Sequence, residues 1–266
     1  MRNILFKYRN WSSLNHRKLL IDQEIYFPSA DKFNDPFDSN IKIRYDKGSK
    51  EDILKLYFED AKTHFPEESY EKLISLSEQK FDRGLHNDPK LLSGYFDDIR
   101  KLISETFGIF TLSAKNGGLL LWSNYADSHR GFAIGFNSER LMKSLREVGK
   151  HRHLIFDIFK VCYEKEYPLL NPYEMTANEI ILVPLKTKSC IWQYEKEYRI
   201  ICLNKSNFLL RLDNDIIDSV ILGCKIPMRH RKEIISALRI KGKDISLFQA
   251  YEHNELYALE LKEITY

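Results

Sequence analysis

Cysteine, glycine and proline are all scarce in this chain, with 4, 11 and 8 copies among 266 residues. The four cysteines are widely spaced and form no Cys-x-x-Cys pair, which argues against a zinc ribbon and against a disulfide framework. We therefore expect free thiols, most of them buried, in a reducing compartment. The positions are Cys162, Cys190, Cys202 and Cys224.

An excess of one charge and long apolar runs are also missing. Lysine and arginine number 41 against 38 aspartates and glutamates, so the net charge of +3 carries no overall nucleic-acid or membrane signature. The apolar run near the N-terminus is too short for a signal peptide, and no window is long enough to span a bilayer. These features predict a soluble cytoplasmic protein with no membrane partner.

Several nucleotide and hydrolase motifs do not occur. The pair Gly117-Gly118 lacks the third glycine of a dinucleotide fingerprint, and we find no Walker loop and no Gly-x-Ser-x-Gly. The eight histidines form no His-Glu-x-x-His pair. The common phosphate-loop, serine-hydrolase and zinc-protease classes are therefore disfavoured.

Apolar residues make up 43% of the chain, enough to bury a substantial core. Strand-like and helix-like segments do not alternate regularly, so we predict an α+β fold around a mixed or antiparallel sheet. We predict one domain over residues 1–266. Helical spacing of apolar residues over 49–105 predicts a three-helix insertion within it, with Asp88-Pro89 opening the last helix.

The most informative segment is Trp192-Gln193-Tyr194-Glu195-Lys196-Glu197-Tyr198-Arg199. It places two carboxylates, Glu195 and Glu197, just before a strand-like run. If the pleat begins at Glu195, both carboxylates face the same side. If it begins at Glu197, that residue lies at the mouth of the strand and Glu195 on the loop before it.

Two other features are consistent with a site. All three tryptophans, Trp11, Trp122 and Trp192, lie beside charged or polar clusters, which indicates either core positions or a shared cleft. The run from Phe33 to Asp38 is either a capped turn or a place where acids hold a metal or a sugar hydroxyl.

Four blocks occur in the order of a known family. The chain looks like a member of the bacterial domain-of-unknown-function family 2971 over most of its length. That family name implies no activity. The blocks are Lys7-Tyr8-Arg9, 26–38, 121–131 and 192–200.

More distantly, the order of elements is similar to that of ADP-ribosyltransferases, which implies NAD as substrate. On that resemblance Glu197 is the catalytic carboxylate and Glu195 faces the acceptor. Tyr8 or Arg9 would hold NAD, and Tyr125 would stack on nicotinamide. The remaining residues of the implied NAD-binding set are Trp122, Asn34 and Asp35. The first strand departs from the pattern, because it offers Lys7-Tyr8-Arg9 where many members of the superfamily have histidine.

These observations predict an enzyme that uses NAD to modify a macromolecule, with RNA or DNA as the leading acceptor. A bacterial toxin or phage-defence effector is the implied role, with an antitoxin or regulator as partner. One alternative is a metal-dependent nuclease using Asp35, Asp38, Glu195 and Glu197. Another is a non-enzymatic sensor that binds a nucleotide or a peptide.

Overall fold

An eight-stranded mixed sheet lies at the centre of the computed structural model, which describes residues 3–84, 86–212, 216–242 and 245–266. The predicted domain 1–266 therefore includes residues outside the described ranges. The strands are β1 (Ile4–Arg9), β2 (Glu24–Phe27), β3 (Phe107–Ser113), β4 (Phe132–Asn137), β5 (Ile155–Lys160), β6 (Cys162–Glu164), β7 (Thr187–Ser189), β8 (Glu197–Leu203), β9 (Phe208–Arg211), β10 (Ile217–Leu222), β11 (Ser246–Glu252) and β12 (Leu259–Glu263). The helices are α1 (Leu14–Ile21), α2 (Lys50–His64), α3 (Tyr70–Asp82), α4 (Pro89–Thr106), α5 (Leu119–Tyr125), α6 (Ser138–Arg152), α7 (Ala177–Lys186) and α8 (Met228–Lys241).

The order across the main sheet is β12-β11-β10-β4-β1-β3-β8-β5. Neighbouring strands of this sheet run antiparallel, except β10 and β11, which run parallel. Strands β2 and β9 form a separate antiparallel pair, and β6 and β7 a short parallel one. The prediction of an α+β fold with a mixed, largely antiparallel sheet is confirmed.

Both faces of the sheet are covered, because β1 alternates its apolar side chains between two core clusters. Leu5 packs into the larger cluster together with Trp11 and Phe132. Phe6 and Tyr8 point to the other face and pack into a smaller cluster with Trp122. This two-sided burial fixes the register of β1, since a one-residue slip would exchange the faces.

The sheet separates between β1 and β3, which are neighbours in this order. Strand β1 pairs with β4 along its whole length, from Ile4 with Asn137 to Arg9 with Phe132. Strand β3 likewise pairs fully with β8. Between β1 and β3, however, the register contains the single pair Phe6 with Ser113. The remaining length of β1 thus borders a gap in the sheet.

Residues 49–105 contain the three predicted helices, although the status of this segment as an insertion stays a prediction. Side-chain caps open each helix: Ser49 with Asp52 in a capping box for α2, Ser69 for α3 and Asp88 for α4. Helix α4 ends at Thr106 and β3 begins at Phe107, with no connecting residue. Its residue Ile103 packs with Phe107 under the sheet.

Other sequence expectations need correction. Cys162 and Cys190 are exposed rather than buried. Trp11 and Trp122 are both core residues, 1% and 0% exposed, so the three tryptophans do not line a shared cleft.

Candidate functional site

A cavity of about 410 Å³ occupies the gap between β1 and β3. Its volume lies within the range typical of small-molecule sites. One wall is formed by Lys7, Tyr8 and Arg9 of β1, and the opposite wall carries Glu195 and Glu197. Tyr125 of α5 also lines it. The strand separation therefore brings together residues that are nearly 190 positions apart in the chain.

The two glutamates adopt the second of the two geometries considered from sequence. Cys190–Glu195 forms a short 3-10 helix, and β8 begins at Glu197, which pairs with Ser113. Between them Lys196 has φ 46°, in the left-handed region. The Oγ of Ser113 donates to the Glu195 carbonyl oxygen at 2.5 Å. With this turn between them, both carboxylates reach one cation.

That cation is Lys188, whose Nζ lies 2.7 Å from Glu195 Oε2 and 2.9 Å from Glu197 Oε2. Burial lowers the pKa of Lys188, but the charges of Glu197 and Glu195 outweigh it and the net direction is upward. Lys188 is therefore ammonium at neutral pH. The ring of Trp192 covers it at 5.0 Å.

A second buried cation, Arg199, extends the group. Its Nε donates to Glu197 Oε1 at 2.8 Å, and its Nη1 and Nη2 donate to the two Asp38 oxygens at 2.9 and 2.7 Å. Glu197 and Arg199 are two residues apart on β8 and therefore share a side. We call Asp38, Lys188, Glu195, Glu197 and Arg199 the ion cluster.

Opposing effects separate the pKa values of the two glutamates. Burial raises the pKa of Glu197, but Arg199 and Lys188 outweigh it and bring the pKa to about 2. For Glu195 burial prevails over Lys188 and over the bond from Tyr125, so its pKa is raised. Glu197 is thus held ionised, whereas Glu195 is the carboxylate better placed to exchange a proton.

The two tyrosines predicted to bind NAD, Tyr8 and Tyr125, line the cavity, and the hydroxyl of each already donates a hydrogen bond to the protein. Tyr125 donates to Glu195 Oε1 at 2.7 Å, and Tyr8 donates to the Lys115 carbonyl oxygen at 2.7 Å. Arg9 lines the cavity and donates to the Tyr8 carbonyl oxygen at 3.3 Å. Burial lowers the pKa of Arg9 to about 10, so it remains a cation at neutral pH.

Three other predicted ligand-binding residues are placed differently. Asn34 lines the cavity. Trp122 does not, because it is fully buried behind the wall, where its ring meets Tyr8 edge-on at 5.1 Å. Asp35 does not line the cavity either. Its carboxylate accepts a hydrogen bond from the Phe37 backbone N–H at 3.0 Å, as part of a turn. Trp122 and Asp35 therefore do not border the cavity, contrary to the prediction.

The site residues predicted from sequence do not include Lys7, Lys188 or Arg199. Arg199 stands inside the glutamate block, and its position two residues after Glu197 is a signal of a same-side ion pair. Lys188 carries no comparable signal, because its approach depends on the pairing of β7 with β6. Lys7 belongs to the first-strand block Lys7-Tyr8-Arg9, which gives it no role of its own.

Neither a group of metal-ligating side chains nor a membrane-spanning helix occurs in the described part of the chain. Within it, no three His, Cys, Asp or Glu side chains lie close enough together to hold a metal ion. The carboxylates of the ion cluster are instead bound by Lys188 and Arg199. Among the same residues no helix is long and apolar enough to cross a membrane.

Comparisons with known proteins identify a partial family match. The model of the family described as "Protein of unknown function (DUF2971)" matches residues 121–200. No curated protein and no solved structure matches the chain. The matched segment runs from α5 to β8, so it contains Tyr125, Lys188, Glu195, Glu197 and Arg199 but not β1 or Asp38. Over this segment the chain is similar to family 2971.

Proposed function

We propose that the protein is an ADP-ribosyltransferase that cleaves NAD and transfers ADP-ribose to a macromolecule. The observation that carries the proposal is the convergence of Tyr8, Arg9, Tyr125, Glu195 and Glu197 on one cavity. Such a reaction needs a carboxylate beside the ribose and a surface for a planar base. Both are available within this gap in the sheet.

The charge of the ion cluster suits the transition state of this reaction. Its three carboxylates and two cations leave an excess of one negative charge. Breaking the bond between nicotinamide and C1 of the ribose develops positive charge on that carbon. A buried, preorganised negative site stabilises such charge more strongly than water does.

The two glutamates take different roles. Glu197, ionised over the whole assay range, stabilises the developing charge and accepts a hydrogen bond from a ribose hydroxyl. As C1 loses nicotinamide, which leaves with the bonding electron pair, a nucleophilic oxygen or nitrogen of the acceptor bonds to the same carbon. Glu195 takes the proton that the acceptor releases, which is general-base chemistry.

Two cationic side chains at the cavity suit the pyrophosphate of NAD. Arg9 and the exposed Lys32 line the cavity and offer donors for pyrophosphate oxygens. The ring of Tyr125 offers a face for nicotinamide. Because both Tyr8 and Tyr125 already donate their hydroxyl protons to protein acceptors, their contribution is contact by the ring.

The acceptor class follows from the resemblance. We propose nucleic acid, as in a toxin or phage-defence effector that a partner protein restrains. The test is incubation of the purified protein with NAD labelled in the adenylate phosphate and, separately, with cellular RNA, DNA and protein. We expect label on one fraction, with one nicotinamide released for each label transferred.

Matched variants make this test specific. Glu197→Gln should lose transfer by roughly 10²–10³-fold, as when one transition-state contact is removed. Glu164→Gln, which changes an exposed glutamate on β6, should retain it. A folded protein that releases no nicotinamide and labels no fraction would refute the proposal.

The rival functions predict different results in the same assay. A sensor would bind NAD saturably without releasing nicotinamide. A metal-dependent nuclease would cut RNA or DNA without NAD and stop when a chelator is added. For the nuclease the ion cluster is unfavourable, because a divalent ion would have to displace Lys188 or Arg199 from the carboxylates.

A further inference from the structure

Lys7 and Lys188 line the same cavity but have opposite surroundings. Lys188 has two glutamates within 2.9 Å. Lys7 forms no ion pair with any carboxylate of the described residues. Its Nζ donates to the carbonyl oxygen and to Oγ1 of Thr111, both at 2.6 Å. The Phe110 ring lies at 4.9 Å.

The hydrogen bonds of Lys7 suit an uncharged amine. A neutral amine has two N–H groups, and the two Thr111 acceptors satisfy both. The lone pair then has no protein partner in the described chain. Lys7 is only half-buried, and because it lines the cavity, a small molecule there can reach Nζ.

Charged side chains on several strands and loops around the cavity shift the pKa of the Lys7 amine. Burial and the charge of Arg9 hold the pKa of Lys7 well below its usual range. Glu197 and Glu195 act in the opposite direction, and Lys188 adds to the lowering. A deprotonated lysine in such a site is the form that attacks carbonyl carbon.

Arg9 supplies a second group at a fixed spacing. It follows Lys7 by two residues on β1, so the two side chains leave the strand on the same side with Cα atoms roughly 6.5 Å apart. Arg9 also lacks an ion-pair partner among the residues described, which leaves most of its donors available. An amine nucleophile and a phosphate-binding guanidinium thus stand side by side.

We propose that Lys7 is a nucleophile that forms an imine with short phosphorylated aldehydes, whose phosphate binds Arg9. The Nζ lone pair bonds to the carbonyl carbon, and the carbonyl oxygen leaves as water with the two protons that Nζ gives up. The product is a C=N bond between Nζ and that carbon. This reaction consumes no NAD. Because Arg9 is also the proposed donor to the NAD pyrophosphate, NAD and the aldehyde would compete for the cavity.

Reductive trapping tests the proposal. The whole protein is incubated at neutral pH with glyceraldehyde 3-phosphate and cyanoborohydride, which reduces the imine to a stable amine. Peptide mapping against time then measures the labelling of each lysine. We expect Lys7 to label first and to one equivalent, at least tenfold faster than Lys188 or the exposed Lys165.

The role of Arg9 is tested with a second probe. Glyceraldehyde lacks the phosphate and should label Lys7 at least tenfold more slowly, and Arg9→Gln should remove that difference. Lys7→Met should abolish the early adduct. The proposal is overturned if wild-type Lys7 labels no faster than Lys165, a result that does not depend on whether any variant folds. Equal labelling of Lys7 and Lys188 would overturn it as well.

Discussion

Arg199 joins Asp38 through two parallel hydrogen bonds, Nη1 to Oδ1 at 2.9 Å and Nη2 to Oδ2 at 2.7 Å, across 161 residues of chain. Arg199 is fully buried and Asp38 nearly so. The pair ties the loop after β2 to the strand that carries Glu197. It is therefore one of the contacts that link distant segments of the cavity.

Removing Arg199 should destabilise the protein strongly. Arg199→Met leaves the buried Asp38 without its two-bond partner and leaves Glu197 with Lys188 alone. Loss of one member of a buried pair costs about 3–5 kcal/mol. The free energy of unfolding measured in urea checks this. Asp38→Asn added to Arg199→Met should cost much less than the sum of the two single changes.

An exposed arginine is the control for that experiment. Arg44 forms a similar two-bond contact with Asp46 at 2.7 Å, but in solvent. Arg44→Met should leave the melting temperature close to wild type, since exposed ion pairs contribute little. Equal losses for Arg44→Met and Arg199→Met would contradict the interpretation of the buried pair.

Glu195 and Glu197 should differ in their effect on the pH dependence of NAD cleavage. As general base, Glu195 must be ionised, so wild-type activity should fall as pH drops through its raised pKa. Glu195→Gln should be slower by roughly 10²–10⁴-fold and should lose that acidic limb. Glu197→Gln should be slow but keep the limb. The readout is the pH profile of kcat/KM for nicotinamide release.

Tyr125→Phe should move the acidic limb without removing it. The hydrogen bond from Tyr125 lowers the pKa of Glu195, so its loss raises that pKa further and shifts the limb to higher pH. The ring that contacts the substrate remains, so KM for NAD should change little. Tyr194→Phe is the matched control, because Tyr194 bonds Asn124 rather than a glutamate. A shift in both variants, or in neither, would contradict this assignment.

His16 should make stability depend on pH between about 6.5 and 4. Burial and the charge of Arg9 lower its pKa from 6.5 to about 4. The unfolded chain therefore takes up the proton first, and His16 contributes stability above pH 6.5 that is lost as pH falls towards 4. Melting temperatures of wild type and His16→Gln over this range measure the contribution.

The variant's curve should be flatter, while His64→Gln on exposed α2 should follow wild type. A His16→Gln curve parallel to that of wild type would show that another group is responsible. Carboxylates that titrate below pH 5 affect all three proteins, so only the difference between the curves counts.

Local patterns predicted the helices of residues 49–105 but not how the site is assembled. Helices α2 to α4 carry their own caps and apolar periodicity, so each could be located from nearby residues. The approach of Lys188 to both glutamates depends on the left-handed Lys196 and on the pairing of β6 with β7. The gap between β1 and β3 depends on which strands do not pair, a property that no local pattern contains.

The tryptophans show a second limit. Trp122 lies in a polar block, and a hydrophobic residue beside charges is compatible with a cleft or with a core. Its Nε1 donates to the Asn116 carbonyl oxygen at 3.2 Å, which lets the indole be buried without an unpaired donor. Such a partner, six residues earlier in the chain, cannot be recognised from composition around the tryptophan.

The direct junction of α4 with β3 bears on which parts of the chain can be exchanged between proteins. Ile103 of α4 packs with Phe107 and Ile109 of β3, so α4 shares its core with the sheet. Strand β3 ends at Ser113, which holds the Glu195 carbonyl oxygen. Replacing α2 and α3, with Asp88 kept as the N-cap of α4, should leave that arrangement intact. Replacing α4 would remove Ile103, which packs against β3. The natural boundary for grafting or shortening this segment is therefore Asp88, not the end of the helical region.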